Sequence, residues 1–277
     1  RPPRSTPGRT LFLTRRSSDL TGAGATGAAL VNHPDVNKIA FTGSTAVGKL
    51  IQRATAGTGK KLTLELGGKA PNIIFADATI DQAVEGIING IYFNQGHVCC
   101  AGSRLYVEES VHDEVVRKLK HRMKSLVVGD PLDKNTDIGT INKYIKLGQQ
   151  EGADMYQSAC DLPGKGFWCR PTLFTNVAQS ARITQEEIFG PVLAIQTFRT
   201  MEEALQKANN TPYGLSAGVW TNKGSKIFNM TTKLRAGVVW ANTFNKFDPT
   251  SPFGGYKESG YGREGGVHGL GAYLNLN

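Results

Sequence analysis

The chain has 277 residues, of which 39% are hydrophobic and 20% are charged. This composition is that of a globular protein with one large or two modest domains, and no apolar run is long enough to predict a membrane-spanning helix. The net charge of +9 owes much to five arginines in the first twenty residues, and no nucleic-acid-binding signature accompanies it. A nucleic-acid binder is therefore a hypothesis that rests on charge alone.

The four cysteines are Cys99, Cys100, Cys160 and Cys169. They form no C-x-x-C pair, and no histidine pair has zinc spacing, so neither a metal site nor a disulfide framework is predicted. Few cysteines in a long chain favour a reducing compartment, and we expect a cytoplasmic location. Residues 1–20, rich in Pro and Arg, are predicted to be a disordered or non-native extension; the alternative is an Arg- and Ser-rich transit peptide.

Short apolar runs alternate with helix-like stretches, which predicts an α/β fold. In the first half the predicted elements are a strand at 38–41, a helix at 46–54, strands at 61–65 and 72–75, a helix at 79–92, a strand at 104–107 and a helix at 111–125. Thr79 is the expected N-cap of its helix. Val115, Leu119 and Met123 recur every four residues and predict one buried helix face.

In the second half the predicted elements are a loop from 182 followed by a strand at 191–195, a helix at 200–209, and strands at 216–220 and 237–242. From 243 to 271 the chain is rich in glycine and aromatic residues and has little periodicity. A long irregular segment of this kind is often functional.

The segment FNQGHVCCAGSR at 93–104 places Cys99 among small residues between a predicted helix and a strand. A catalytic thiolate needs a lowered pKa and an open approach, and backbone N–H groups at such a turn can stabilise an oxyanion. The alternative interpretation is a buried cysteine pair that packs as small hydrophobic side chains.

Two further segments carry candidate chemistry. In LELGGK at 64–69, Glu65 alternates with leucines at a strand end, where a half-buried carboxylate could serve as a general base; the alternative is an edge-strand glutamate that faces water. FTGSTAVGK at 41–49 opens a helix after a strand, and such N-termini bind phosphate. A plain helix N-cap is the alternative there.

From about Thr21 to Leu274 the chain resembles the aldehyde dehydrogenase superfamily. Six motifs carry the resemblance in the family's order: FTGSTAVG, LELGGK, FNQGHVCCAGSR, QEEIFGPV, NNTPYGLSAGVW and SPFGGYKESGYGRE. The stretch FDPTSPFGGYKESGYGREGG also resembles the family-16 branch. The resemblance implies a remnant of a Rossmann-like NAD(P)-binding domain at 21–66, a catalytic domain with a parallel-rich sheet at 67–260, and a C-terminal segment at 261–277 that returns to the cofactor and oligomerisation region.

By the same resemblance, Cys99 is the nucleophile, since it lies three positions after Gly96, and Cys100 has no assigned role. Glu65 matches the general base, and Gly67 lies beside it near the nicotinamide. The implied reaction is oxidation of an aldehyde to a carboxylic acid through a thiohemiacetal and a thioester.

For the cofactor, the resemblance places Gly43 and Ser44 over the pyrophosphate, Glu187 at the nicotinamide ribose, and Phe189 against the cofactor. Phe247 and Phe253 fall where the family lines its substrate tunnel; core packing is the alternative for each aromatic residue. The expected cofactor is NAD, with NADP also allowed, and coenzyme A is a second conceivable co-substrate. The expected partners are a small-molecule aldehyde and further copies of the chain in a dimer or tetramer, with no nucleic acid and no membrane.

The sequence departs from the family pattern in several places. The W-N-F-P-type segment with the oxyanion asparagine has no match, nor have the Lys and Glu that contact the adenosine ribose. The stretch between Gly139 and Tyr144 is about ten residues shorter than usual, and His97 stands where glutamine is more common. We therefore expect little activity from the 277-residue chain alone, and a non-catalytic scaffold of the same fold is the competing hypothesis.

Overall fold

The computed structural model describes residues 23–128, 138–162 and 168–274, which fall into two compact units. The chain divides between Gly67 and Gly68 and again between Lys246 and Phe247, so the smaller unit contains segments from both ends of the sequence. Residues 247–260, which the sequence analysis grouped with 67–246, belong to the smaller unit. The assignment of these ranges to a cofactor domain and a catalytic domain stays a prediction.

The smaller unit contains four helices and strands before the division and two after it: α1 (Ala23–Asn32), β1 (Lys38–Thr42), α2 (Thr45–Thr55), β2 (Lys61–Glu65), β10 (Gly260–Tyr261) and α9 (Gly266–Gly271). The sheet order is β1-β2-β10; β1 and β2 are parallel, and β10 is antiparallel to β2. The register pairs Thr42 with Glu65 and Glu65 with Gly260, so Glu65 ends the central strand. Its core consists of Val31, Val36, Ile39, Ile51, Leu64 and Leu66.

The larger unit contains the remaining elements: β3 (Pro71–Ile74), α3 (Ile80–Tyr92), β4 (Arg104–Glu108), α4 (His112–Met123), α5 (Ile138–Gln150), β5 (Asp154–Gln157), β6 (Thr172–Thr175), α6 (Arg182–Gln185), β7 (Val192–Phe198), α7 (Met201–Asn209), β8 (Ser216–Trp220), α8 (Gly224–Lys233) and β9 (Val238–Ala241). Its seven-stranded sheet has the order β5-β6-β7-β4-β3-β8-β9. Neighbouring strands are parallel except β5 with β6. Inner strands of a parallel sheet are buried on both faces, and accordingly every residue of β8 and the first four residues of β4 are buried.

Helix α4 shows how the sequence pattern produces packing. Val115, Leu119 and Met123 are fully buried, as their four-residue spacing predicts, while the opposite face carries charged side chains. Burial of an aliphatic side chain of this size contributes about 2 kcal/mol before entropy is counted. The packing face of α4 was therefore predictable from three residues.

The predicted α/β class with a parallel-rich sheet is confirmed, and most of the predicted elements agree within two residues. Four predictions need correction or completion. The expected loop from 182 contains α6, the strand after it begins at Val192, and no element had been predicted for α1, α5, β5, β6 or α8. The segment at 243–271, expected to be irregular, contains β10 and α9. No helix among the described residues is long and apolar enough to cross a membrane.

Candidate active site

The candidate nucleophile lies in the larger unit, on a loop with an unusual backbone. After α3 ends, Asn94 and Gln95 adopt left-handed φ values of 50° and 54°, and Gly96 follows at 74°. A side chain at position 96 would collide with the Gly190 carbonyl, so only glycine fits there. The hydrogen bond from His97 N to Asn94 O, 2.9 Å long, closes the turn just before Cys99.

The two adjacent cysteines differ in environment. Cys99 is half-buried, whereas Cys100 is 1% exposed and its Sγ donates to Asn245 Oδ1 at 3.3 Å. Interaction with the neighbouring Cys100 thiol lowers the pKa of Cys99 to about 7, although burial and the charge of Glu187 oppose this. The same contact, together with burial, raises the pKa of Cys100. Cys99 therefore ionises first, which agrees with its predicted role and gives the buried neighbour a role that the sequence analysis had not assigned.

Gly68 lies against both the Cys99 loop and Glu187. A side chain at position 68 would collide with the Cys99 carbonyl, and the Gly68 N–H donates to Glu187 Oε1 at 2.9 Å. Burial raises the pKa of Glu187, while the Gly68 N–H and the charge of Lys69 act in the opposite direction. The structure thus brings two predicted site residues, Cys99 and Glu187, to opposite sides of one glycine.

Phe189 is 49% exposed and has a left-handed φ of 55°. Its ring stacks on His97, with the centroids 5.7 Å apart and the planes inclined by 30°. His97, which the sequence analysis noted only as a replacement, therefore helps to orient the aromatic ring predicted to pack against the cofactor.

Lys69 was not predicted as a site residue, although it ends the LELGGK motif. Its side chain is 2% exposed, and within the described part of the chain its Nζ has no hydrogen-bond partner. Burial, and then the charge of Arg104, lower the pKa of Lys69 to about 7, while the carboxylates of Glu187 and Glu186 oppose this. Arg104 is also buried, and its Nε donates to the Lys69 carbonyl at 2.8 Å. The sequence contains one signal of this buried pair: Lys69 and Arg104 are cations that directly precede apolar residues.

Glu65 lies in the smaller unit, at the end of β2. It is 7% exposed and belongs to a central strand, so the interpretation of an edge-strand glutamate facing water was wrong. The Glu65 carbonyl accepts from Gly43 N at 3.0 Å. The carbonyl of Gly67 accepts from Ser259 Oγ at 2.6 Å, which ties the strand end to the segment before β10. Because Glu65 and Cys99 belong to different units, their joint catalytic role stays a prediction.

The predicted phosphate-binding turn is a formed helix N-terminus. Ser44 is the N-cap of α2, and its side chain accepts from Val47 N at 3.3 Å, so the N-cap interpretation holds beside the functional one. At Gly43 a side chain would meet the ring of Phe41. Beside this turn, in the same unit, a cavity of about 440 Å³ is lined mainly by apolar side chains of α1, β1 and α2, among them Val31, Phe41, Val47, Leu50 and Ile51.

Phe247 and Phe253, the predicted tunnel residues, contact each other within the smaller unit. Their ring centroids are 5.2 Å apart, with the planes inclined by 68°. Phe247 is 58% exposed, so core packing does not account for it. Among the described residues, no group of His, Cys, Asp and Glu side chains is arranged to hold a metal ion.

Comparison with known sequences decides the family. The sequence profile of the aldehyde dehydrogenase family matches residues 18–277. The chain belongs to the aldehyde dehydrogenase family. The superfamily resemblance is confirmed, while the family-16 resemblance stays a prediction.

Among curated aldehyde dehydrogenases, human retinal dehydrogenase 2 is 49% identical over 268 residues, which cover 93% of this chain and 52% of that protein. The mitochondrial aldehyde dehydrogenase of Mesocricetus auratus is also 49% identical, with coverage of 93% and 54%. The chain thus spans about half the length of the curated relatives that it matches.

Solved structures of aldehyde dehydrogenases agree with the fold. The indole-3-acetaldehyde dehydrogenase of P. syringae, in complex with NAD⁺, superimposes with a TM-score of 0.86 at 41% identity, covering 91% of this chain and 53% of that one. The betaine aldehyde dehydrogenase of Staphylococcus aureus, also with NAD⁺, gives a TM-score of 0.85 at 38% identity, with coverage of 92% and 53%. The roles of individual site residues in the present family member remain predictions.

Proposed function

We propose that the protein oxidises an aldehyde to a carboxylic acid, with NAD as the hydride acceptor and Cys99 as the covalent nucleophile. The observation that carries the proposal is Cys99 itself: a half-buried thiol shortly after the left-handed turn at 94–96, with its pKa lowered to about 7. A nucleophilic thiol with a pKa near the working pH combines a substantial thiolate fraction with good reactivity.

In the proposed reaction the Cys99 thiolate adds to the aldehyde carbon and forms a tetrahedral thiohemiacetal. The backbone N–H of Cys99 is the donor that this chain offers to the oxyanion. When bound, the nicotinamide supplies the acceptor for the hydride that leaves this carbon, so that a Cys99 thioester remains. Glu65 then takes a proton from water, the resulting hydroxide attacks the thioester, and Cys99 is released with the carboxylic acid.

The residues of the smaller unit fit a dinucleotide. Helix α2 begins directly after Gly43 and Ser44, and the N-terminus of a helix in this position suits a pyrophosphate. The neighbouring cavity of about 440 Å³ is apolar and wide enough for a flat aromatic base. In the larger unit, the Glu187 carboxylate is a fitting acceptor for ribose hydroxyls. Solved relatives contain NAD⁺, which supports NAD as the cofactor.

The proposed substrate is defined only as a class, the aldehydes. Relatives are named for retinal, indole-3-acetaldehyde and betaine aldehyde, which share only the aldehyde group. The aromatic pair Phe247 and Phe253 is proposed to line the path of the substrate. Assembly into a homo-oligomer is also part of the proposal. So is a cytoplasmic location, although some of the curated relatives are named as mitochondrial.

Alkylation of the thiols tests the central claim directly on this chain. Iodoacetamide is added at several pH values between about 5.5 and 9, and each cysteine is followed by peptide mass spectrometry. We expect the rate at Cys99 to rise with a midpoint near pH 7, because its thiolate forms there. At pH 7, Cys99 should react at least ~10-fold faster than Cys169, whose pKa burial raises to about 11.

A Cys99→Ala variant provides the matched control, since the fast-reacting peptide should disappear while labelling of Cys160 is unchanged. An electrophilic aldehyde analogue should likewise form an adduct at Cys99 and lose it in that variant. Equal rates at Cys99 and Cys169, or an adduct that survives Cys99→Ala, would contradict the proposal and favour a non-catalytic scaffold.

A further inference from the structure

The antiparallel strands β5 and β6 are followed and preceded, respectively, by two cysteines, Cys160 and Cys169. The antiparallel register pairs Asp154 with Thr175 and Gln157 with Thr172, and Ser158 N donates to Pro171 O at 3.2 Å beyond the last named pair. The observed pairing ends there, and we infer that its extension by two further positions would bring Cys160 opposite Cys169. The sequence separation of the two thiols gave no sign of this pairing, because the hairpin had not been predicted.

Contacts beyond the ladder show that the two segments stay side by side. The Arg170 Nε donates to the Cys160 carbonyl at 3.3 Å, which takes the place of a backbone hydrogen bond. The charge of Cys160 adds to burial in raising the pKa of Cys169, which agrees with the two thiols being neighbours. Opposed residues of an antiparallel pair have Cα atoms about 4.5–5.5 Å apart, within the span that a disulfide bridges.

The two thiols differ in a way that suits stepwise oxidation. Both are free, Cys160 is half-exposed, and Cys169 is 5% exposed within an apolar cluster that includes Phe174 and Ile183. An oxidant from solvent therefore meets Cys160 first. Cys169 is shielded from solvent but adjacent to its partner, which is the arrangement of a resolving thiol.

We propose that Cys160 and Cys169 are a peroxide-sensitive pair that forms a reversible intrachain disulfide. Hydrogen peroxide accepts two electrons from the Cys160 thiolate, giving Cys160 sulfenic acid and hydroxide. The Cys169 sulfur then attacks the Cys160 sulfur, an S–S bond forms as the S–O bond breaks, and the hydroxyl leaves as water. In sum, two thiols and one peroxide give one disulfide and two waters, and a dithiol reductant restores the thiols.

The pair is separate from the proposed nucleophile, so the inference does not depend on the proposed function. It does have a place near the Cys99 loop: Cys169 lines a cavity of about 200 Å³ together with Tyr92, Asn94 and Gln95. A disulfide would close residues 160–169 into a covalent loop, and this loop would restrict the movement of Cys169 beside the cavity.

Peptide mapping of the whole chain tests the pair. The folded protein is treated with hydrogen peroxide, remaining thiols are blocked with N-ethylmaleimide, and the chain is digested with trypsin without reduction. Cleavage after Lys165 separates the two cysteines, and Arg170 is followed by proline, so we expect a cross-linked species of peptides 147–165 and 166–182. Dithiothreitol should release both peptides, and the oxidised protein should melt a few degrees higher than the reduced one.

The variants Cys160→Ser and Cys169→Ser should each abolish the cross-link, whereas Cys100→Ser should retain it. Two results would overturn the proposal. One is Cys160 oxidised or blocked singly while Cys169 stays a free thiol. The other concerns the share of the Cys160–Cys169 cross-link among all disulfides formed. If this share is the same in urea as in the folded chain, the fold does not direct the pairing.

Discussion

At the scale of a residue, Gly96 determines where the candidate nucleophile can lie. Its φ of 74° is a left-handed conformation, and the Gly190 carbonyl occupies the space that a side chain would need. Asn94 and Gln95 adopt similar φ values, so three successive left-handed residues turn the chain from α3 toward Cys99. This backbone is costly for residues other than glycine, and the surrounding hydrogen bonds must hold it.

We predict that Gly96→Ala destabilises the protein by about 3 kcal/mol, since the left-handed conformation costs about 1 and displacement of the Gly190 carbonyl about 2. Gly152→Ala is the matched control: its φ is 85°, but nothing lies within 4 Å of the added methyl group, so about 1 kcal/mol should be lost. Urea denaturation measures both. Equal losses would show that the contact with Gly190 has no energetic weight.

At the scale of an element, helix N-termini show how far local sequence signals extend. Thr79 occupies the predicted N-cap position of α3, yet its side chain makes no capping hydrogen bond. Thr200, which had been placed inside the predicted helix, is the N-cap of α7, and its Oγ1 accepts from Glu203 N at 3.1 Å. The residue type identified the position at α3, but the side-chain rotamer determined whether a hydrogen bond forms.

Thr200→Ala is accordingly expected to lower the free energy of unfolding by about 1 kcal/mol, because the Glu203 N–H loses its acceptor. Thr79→Ala, the same change at a cap without that hydrogen bond, should cost clearly less. Both values can be measured by chemical denaturation. A larger loss for Thr79→Ala than for Thr200→Ala would refute the assignment of the caps.

At the scale of the whole molecule, Lys69 links stability to pH. The unfolded chain keeps the Lys69 proton up to its ordinary pKa of 10.5, whereas burial makes the folded chain release it near 7. Between these values the unfolded state binds more protons, so the contribution of Lys69 to stability rises as pH increases from about 7 toward 10. Below pH 7 the folded state carries the full cost of a buried charge.

Lys69→Met should therefore stabilise the protein below pH 7, by a free energy of the order of 2 kcal/mol, and remove part of the rise above it. Lys49→Met is the control, because Lys49 is a surface residue paired with Glu258 at 2.9 Å. Urea denaturation at pH 6, 7.5 and 9 provides the comparison with the wild-type chain. In both chains the lowered pKa of Cys99 also makes the free energy of unfolding rise with pH, so the test is the difference between the two curves. Parallel curves for Lys69→Met and wild type would rule out this role for Lys69.

A second prediction at this scale concerns activity. We expect the 277-residue chain alone to show little or no NAD-dependent oxidation of an aldehyde, because its sequence contains no match for the family's oxyanion asparagine or ribose-binding lysine. NADH absorbance with a panel of aldehydes measures this. Turnover at ordinary enzyme rates would contradict the expectation, whereas Cys99 alkylation tests the nucleophile independently of turnover.

The sequence by itself determined the family, the α/β class, most strand positions and the buried face of α4, because these follow from local motifs and from side-chain periodicity. It also identified Cys99 as the candidate nucleophile. Only the tertiary structure decided which groups affect that thiol and its loop: the interaction with Cys100 that lowers its pKa, and the contacts at Gly68 and Gly96. The burial of Lys69 and the antiparallel pairing of β5 with β6 likewise depend on residues brought together by the fold, and the energy of such contacts is not encoded in any short stretch of sequence.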